Sequence, residues 1–235
     1  MKRLMDYFTK TERILWSVSA AVIVFSFCIF DRENYLTLAA SLIGVTSLIF
    51  SAKGNPFGQF LMVIFSLLYG IISWSFRYYG EMITYLGMTM PMAVFALISW
   101  LRNPYEGRRS EVRVNRVGAL EGVSLCLAAA AVTVGFYFVL KCFGTASLAM
   151  STLSVTTSFV AVYLTFRRSP GFAVAYAAND LVLIVLWVLA SMEDIRYVSV
   201  TVCFTAFLFN DLYGFASWRR MEKRQRAQGK STVKT

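Results

Sequence analysis

Eight long apolar stretches make up most of this chain of 235 residues. They cover residues 13–30, 35–51, 59–76, 82–101, 119–140, 147–166, 171–190 and 196–218. As α-helices rising about 1.5 Å per residue, they are about long enough to cross roughly 30 Å of hydrocarbon. A helix also satisfies its own backbone hydrogen bonds, which lipid cannot do. Because 57% of the residues are hydrophobic and only 15% are charged, the sequence predicts an all-α membrane protein with eight transmembrane helices.

The second to fourth stretches read as a diverged copy of the last three. Three pairs of segments match: Val45-Thr46-Ser47 with Val155-Thr156-Thr157, Asn55-Pro56-Phe57-Gly58 with Ser169-Pro170-Gly171, and Ser99-Trp100-Leu101-Arg102 with Ser217-Trp218-Arg219-Arg220. One helix separates the two triplets, so both enter the membrane in the same direction and form a parallel 3+1+3 repeat. This arrangement is typical of transporters.

The repeat divides the chain into five regions. We expect an N-terminal cytoplasmic segment with an extra transmembrane helix at 1–34, the first three-helix repeat at 35–102, a cytoplasmic loop and linker helix at 103–146, the second three-helix repeat at 147–220, and a basic cytoplasmic tail at 221–235. We expect the tail to be frayed and to carry no chemistry.

The net charge of +10 predicts orientation in the membrane rather than nucleic-acid binding. With eight helices, all lysines and arginines fall on one side except Arg32, Arg77, Lys141 and Arg196. The positive-inside rule then places both termini in the cytoplasm, which requires an even number of spans.

Nothing in the sequence supports an enzyme. The chain has no histidine, and it contains no phosphate-binding loop, dinucleotide fingerprint or nucleophile elbow. The four cysteines lie in or beside apolar stretches without metal-ligand spacing, which favours packed thiols. We therefore expect no cofactor and no metal.

Polar residues inside apolar stretches are the candidates for function, because they are costly in lipid. Asn179-Asp180 and Asn210-Asp211 lie at the same predicted depth, about 12 Å from the basic side, in antiparallel helices. Facing each other across a cavity, they would bind a ligand rich in hydroxyl and amide groups. Alternatively, they hydrogen-bond across the helix interface as packing contacts.

Tyr85 and Thr89 share one face of the fourth predicted helix and are candidates for an aromatic slot. Helix packing is the alternative interpretation. Pro91 lacks a backbone N–H and predicts either a hinge or a static kink.

The five tryptophans lie near the ends of predicted helices, where an interfacial belt would place them. We expect Trp16, Trp100 and Trp218 to belong to that belt. Trp187 lies about one turn deeper and is a candidate for stacking on a flat ring.

Several segments resemble the PnuC-type vitamin transporters over about residues 35–222. They are Tyr79-Gly80-Glu81-Met82, the helix end at 98–103, Tyr176-Ala177-Ala178-Asn179-Asp180, and the run at 210–215 with Trp218. The resemblance implies a SWEET-like fold with parallel triplets and a homotrimer in a bacterial inner membrane. It also implies facilitated diffusion of a small-molecule vitamin, which a cytoplasmic kinase then traps by phosphorylation.

The resemblance further implies that Asn179, Asn210 and Tyr213 contact the substrate or gate and that Trp187 stacks on its ring. Nicotinamide riboside carriers of that family are expected to have a tryptophan pair on the seventh helix, whereas here Ile184 and Ala190 flank Trp187. Nicotinamide riboside is the first expectation, with thiamine or another vitamin as the alternative. An ion-coupled carrier using Asp180 or Asp211 and a non-transporting membrane sensor also stay open.

Overall fold

The computed structural model describes residues 7–75, 78–145 and 147–232. Within these ranges, eight helices are long and apolar enough to cross a membrane. We name them the first to eighth spans: Lys10–Phe30, Tyr35–Ala52, Pro56–Ser75, Tyr79–Arg102, Ala119–Cys142, Leu148–Phe166, Gly171–Ser191 and Ile195–Gln228. The predicted all-α membrane fold with eight spans is confirmed.

Local signals explain where several spans begin. The first span begins at Lys10 because Thr9 and Glu12 form a reciprocal capping box. The third span begins at Pro56, where the fixed φ of proline suits the first helical position. The fourth span is α-helical over Tyr79–Thr84, widens to a π-helix over Tyr85–Thr89, and is α-helical again over Met90–Arg102.

One end of the bundle carries most of the basic residues, and we call it the basic end. There the eighth span continues as a single α-helix from Val198 to Thr232. Its side chains hydrogen-bond to a two-stranded hairpin, β1 (Pro104–Tyr105) and β2 (Arg108–Val112). The hairpin was not predicted from the sequence.

The expectation that the tail is frayed was wrong, since the described part of 221–235 is helical to Thr232. Glu222 pairs with Arg116, whose Nε lies 2.6 Å from Oε1. Gln225 accepts from the Val114 N–H at 2.9 Å and donates to the Val112 carbonyl at 3.1 Å. The hydrogen bonds and the ion pair between these side chains and residues 112–116 therefore hold the helix in place. Residues 233–235 lie outside the described residues.

The loops before Pro56 and Pro170 have the same backbone structure. Gly54 (φ 67°) and Arg168 (φ 57°) are both left-handed, and each ends a helix as a Schellman-type turn does. The Gly54 carbonyl accepts from Val112 N–H at 2.9 Å, and the Arg168 carbonyl accepts from Asn115 N–H at 3.0 Å. The two matching turns therefore bind one segment, residues 112–115, and such a correspondence is what a repeat would require. The five-region division itself stays a prediction.

The interfacial position expected for Trp100 and Trp218 was wrong. Both indoles are fully buried, whereas Trp16 is 41% exposed. The reason is hydrogen bonding, because each buried indole N–H donates to a backbone carbonyl of the other triplet. A tryptophan at a helix end therefore has two possible environments, and its sequence position does not distinguish them.

The main core lies where the second, third, seventh and eighth spans meet, and it is rich in aromatic rings. Gly44 permits the close approach of the second and eighth spans, since a Cβ there would lie 2.3 Å from the Phe207 ring. The fifth span is mostly exposed and packs chiefly on the sixth, so its surface is available to lipid.

Candidate functional site

A small cavity of about 20 Å³ lies in the middle of the bundle. Six spans line it, the second to fourth and the sixth to eighth, so both triplets contribute. Its polar lining residues are Tyr85, Thr89, Ser158, Tyr176, Asn179, Asp180 and Asp211. The volume is sufficient for about one water molecule.

Asn179 and Asp180 enter the cavity from the seventh span and are 3% exposed. The Asn179 Oδ1 accepts hydrogen bonds from Thr157 Oγ1 at 2.8 Å and Ser158 Oγ at 3.0 Å on the sixth span. These two donors fix the orientation of the amide, with Nδ2 as its donor end. The amide is therefore preorganised by a neighbouring helix.

Asp180 and Asp211 line the same cavity from the seventh and eighth spans, and their carboxyl groups are electrostatic neighbours. Both are nearly fully buried. Asp180 Oδ2 has no hydrogen-bond partner among the described residues, and no lysine or arginine is among the residues that line the cavity. This wall suits a ligand with a positive charge or several donors.

Asn210 and Tyr213 point away from the cavity, towards the first span. Asn210 Nδ2 donates to Ser19 Oγ at 2.9 Å, and the Tyr213 hydroxyl donates to Glu12 Oε1 at 3.1 Å. Residues one or two positions from Asp211 on a helix cannot share its face. Of the predicted cluster, the structure brings together Asn179, Asp180 and Asp211, and the first span holds Asn210.

Tyr85 and Thr89 both line the cavity and begin and end the π-helix of the fourth span. The Met90 N–H donates to the Tyr85 carbonyl. Pro91, the predicted hinge, follows at once and has no N–H to continue an α-helical pattern. Single π turns are frequent at functional sites. Gln59 Nε2 donates a hydrogen bond to Ser51 Oγ, and Thr84 Oγ1 donates one to the Gly80 carbonyl. Both of these polar side chains therefore bond within the first triplet.

Trp187 lies outside the cavity wall, in a group of rings that we call the aromatic cluster: Tyr69, Tyr78, Trp187 and Tyr197. The ring centroid of Trp187 lies 4.9 Å from that of Tyr78, 5.5 Å from that of Tyr197 and 6.2 Å from that of Tyr69. Tyr69 connects the cluster to the cavity, since its ring is 4.4 Å from Tyr85. Among the residues that the structure describes, neither the Tyr69 hydroxyl nor Trp187 Nε1, both buried, has a hydrogen bond of ordinary geometry.

A second pocket, of about 550 Å³, lies at the basic end beside Glu12, Lys53 and Tyr213. Glu12 is 3% exposed, and its Oε2 lies 3.1 Å from Lys53 Nζ. Tyr7 packs against this pair, with Lys53 Nζ 4.8 Å from its ring centroid, and burial raises the pKa of Tyr7. Glu12 therefore connects the first span to both triplets.

The sequence analysis missed two buried carboxylates, Glu12 and Glu81. Each lies just before the predicted start of its span, at residues 13 and 82, so neither was counted among the polar residues inside spans. The capping box of Thr9 with Glu12 was the signal that could have moved the first boundary. For Glu81 the signal was its place in the Tyr79-Gly80-Glu81-Met82 segment of the family resemblance.

Residues 34–220 match the family described as nicotinamide mononucleotide transporter. Two curated relatives are named nicotinamide riboside transporter PnuC. The one from Neisseria mucosa is 24% identical, with 85% of this chain and 78% of the relative covered. The one from Haemophilus influenzae is 21% identical, with 82% of each covered.

A solved structure described as the vitamin B3 transporter PnuC has the same fold. The TM-score is 0.82 at 21% sequence identity, with 93% of this chain and 94% of the other covered. The eight spans of this chain, the PnuC resemblance of its motifs and the match over 34–220 agree. This chain therefore belongs to the nicotinamide mononucleotide transporter family and is a multi-pass membrane transporter.

Proposed function

We propose that the protein carries nicotinamide riboside across a bacterial cytoplasmic membrane. The observation that carries the proposal is the Asp180–Asp211 pair, buried in a cavity whose lining includes no basic side chain. Nicotinamide riboside presents a cationic pyridinium ring, a carboxamide and ribose hydroxyls. Carboxylates and the Tyr85 ring attract the cation, and Asn179 and Thr89 complement the amide and hydroxyls. The curated relatives bear the same substrate in their names.

The acidic lining of the cavity also favours binding of the riboside over binding of the mononucleotide named in the family description. A phosphate monoester carries about −1.5 to −2 charges at neutral pH. Inside this cavity it would meet two carboxyl groups and no arginine or lysine among the lining residues. Like charges in a low-dielectric site repel strongly, so the phosphorylated form should be excluded.

The substrate enters only after the bundle opens. Ligand pockets are typically about 300–1,000 Å³, whereas this cavity is about 20 Å³. We propose that the two triplets rock against each other and that the aromatic cluster separates, which frees Trp187 to stack on the pyridinium ring. In this scheme Pro91 and the π-helix are the hinge, and Asn210 and Tyr213 act as gate contacts against the first span.

Transport by this scheme is facilitated diffusion. The positive-inside rule places the basic end in the cytoplasm, where a kinase would trap the product by adding a charged phosphate. As in the family resemblance, we propose that the protein works as a homotrimer. The carrier itself then needs no energy source.

An ion-coupled carrier is the second candidate, and the Asp180–Asp211 pair favours it. Buried carboxylates in membrane proteins often form proton pathways or ion sites. If a proton or sodium ion moves with the solute, an imposed ion gradient should drive accumulation in the absence of any trapping reaction.

The test is uptake into proteoliposomes that contain the purified protein. Labelled nicotinamide riboside, nicotinamide mononucleotide, thiamine and riboflavin are supplied in turn, with and without an enclosed kinase and ATP. We expect only nicotinamide riboside to equilibrate without the kinase and to accumulate with it. Accumulation driven by a pH or sodium gradient alone would favour the ion-coupled carrier.

Two further outcomes would overturn the proposal. Selective uptake of thiamine would reassign the substrate while leaving the cationic-ring chemistry in place. Binding of a solute without flux into the vesicles would indicate a membrane sensor.

A further inference from the structure

Glu81 is a buried acidic residue outside the cavity described above. It lies in the first turn of the fourth span, at the end of the bundle away from the basic end. Its side chain is 1% exposed. Oε1 accepts one hydrogen bond, from Ser154 Oγ at 3.2 Å on the sixth span. Oε2 is buried and has no hydrogen-bond partner among the described residues.

The local structure does not account for this side chain. The helix N-terminus favours an acidic group, but an exposed acid would gain the same benefit without burial. No lysine or arginine among the described residues forms an ion pair with Glu81. An incompletely paired carboxyl group in a membrane interior is costly, and a packed apolar residue would commonly be as stable or more stable.

The surroundings of Glu81 are those of a cation site. The Tyr69 and Tyr85 side chains, both buried, are within electrostatic reach of Glu81. Glu81 lies one turn before Tyr85 on the same helix, and Tyr85 lines the cavity. A carboxyl group beside tyrosine rings is a combination that binds organic cations. The unpaired oxygen supplies an acceptor that no group in the described ranges uses.

We propose that Glu81 is a further substrate-contacting residue, which receives the cationic ring between the end away from the basic end and the Asp180–Asp211 pair. It thereby makes the carrier selective for cationic over neutral solutes. The inference rests on the proposed function, because it requires a cationic substrate. Together, Glu81 and the aspartate pair mark an acidic path along the fourth, seventh and eighth spans.

The experiment compares Glu81→Gln with wild type in proteoliposomes. Two substrates are used: nicotinamide riboside and its reduced dihydropyridine form, which has a similar shape and a neutral ring. We expect Glu81→Gln to lower the initial rate of uptake of dilute nicotinamide riboside about tenfold. Uptake of the neutral form should change less than about twofold, which also shows that the variant folds.

Ser154→Ala is the matched control, since it removes the hydrogen bond to Glu81 and leaves the carboxyl group. If Glu81 only links the fourth and sixth spans, Ser154→Ala and Glu81→Gln should weaken uptake of both substrates alike. That result would overturn the inference, as would unchanged riboside uptake in Glu81→Gln. Failure of the wild type to carry the riboside would instead count against the proposed function.

Discussion

The indole rings of Trp100 and Trp218 contact each other, with centroids 5.3 Å apart, and each donates a hydrogen bond into the opposite triplet. Trp100 Nε1 lies 2.9 Å from the Thr165 carbonyl oxygen, and Trp218 Nε1 lies 2.8 Å from the Ser51 carbonyl oxygen. The two carbonyls precede the matching Gly54 and Arg168 turns and accept from those residues too. This exchange fastens the two triplets to each other at the basic end.

Trp100→Phe and Trp218→Phe should therefore destabilise the protein to a similar degree. Each removes one buried hydrogen bond and part of a packed ring, at a cost of about 1 to 3 kcal/mol. Thermal unfolding of the purified variants in detergent measures the effect. Trp16→Phe is the control, since Trp16 is 41% exposed and should give a smaller shift. Equal shifts in all three variants would contradict the fastening role.

The sequence predicted the eight spans because hydropathy over a long window depends on composition and not on contacts. It also predicted that Asn179, Asp180 and Asp211 meet, because their depth in antiparallel helices follows from residue counts. It could not predict the direction in which Asn210 and Tyr213 point, since depth does not determine the rotation of a helix about its axis. That rotation is set by packing against the first span, to which Ser19 and Glu12 belong.

Asp180→Asn and Asp211→Asn should each weaken binding of nicotinamide riboside about tenfold, because each removes one carboxyl group of the acidic pair that faces the cationic ring. The two changes should not be additive, since the carboxyl groups are direct neighbours. Equilibrium binding of riboside to the two single variants and the double variant provides a double-mutant cycle, which measures the coupling between the two carboxyl groups. Glu193→Gln, an acid-to-amide change at an exposed position, should leave affinity unchanged. Full additivity would indicate that the carboxyl groups act separately.

Tyr69→Phe and Thr89→Val should weaken substrate binding without loss of stability. Both hydroxyls are buried without a hydrogen bond of ordinary geometry in the described part of the chain. Removing such a group costs nothing in the closed protein and can raise stability by up to about 1 kcal/mol. Paired measurements of thermal unfolding and riboside affinity test this. A lower unfolding temperature with unchanged affinity would show that these hydroxyls stabilise the closed form alone.

Pro91→Ala should slow transport more than it weakens binding. Alanine restores an N–H that can pair with the Gly87 carbonyl, which favours a regular α-helix over the π turn. We expect the maximal rate in proteoliposomes to fall several-fold and riboside affinity to change little. Pro104→Ala, in the hairpin of the basic end, is the control. An unchanged rate would leave Pro91 as a static kink.

Glu12→Gln and Lys53→Met should each lower the free energy of unfolding by about 2 kcal/mol, because each leaves one partner of a buried ion pair unpaired. Glu12 is 3% and Lys53 is 19% exposed, so added salt should change the loss only slightly. The double variant should lose less than the sum of the two. A loss that disappears in high salt would contradict the buried position of the pair.

The aromatic cluster has a consequence for the cell that expresses the protein. Trp187 contacts Tyr69, Tyr78 and Tyr197 beside a cavity the size of one water molecule, so the described residues around this cavity leave no room for a continuous file of water. Protons need such a file to hop along, and small ions need one to stay hydrated. A membrane crowded with resting carriers therefore keeps its electrical insulation.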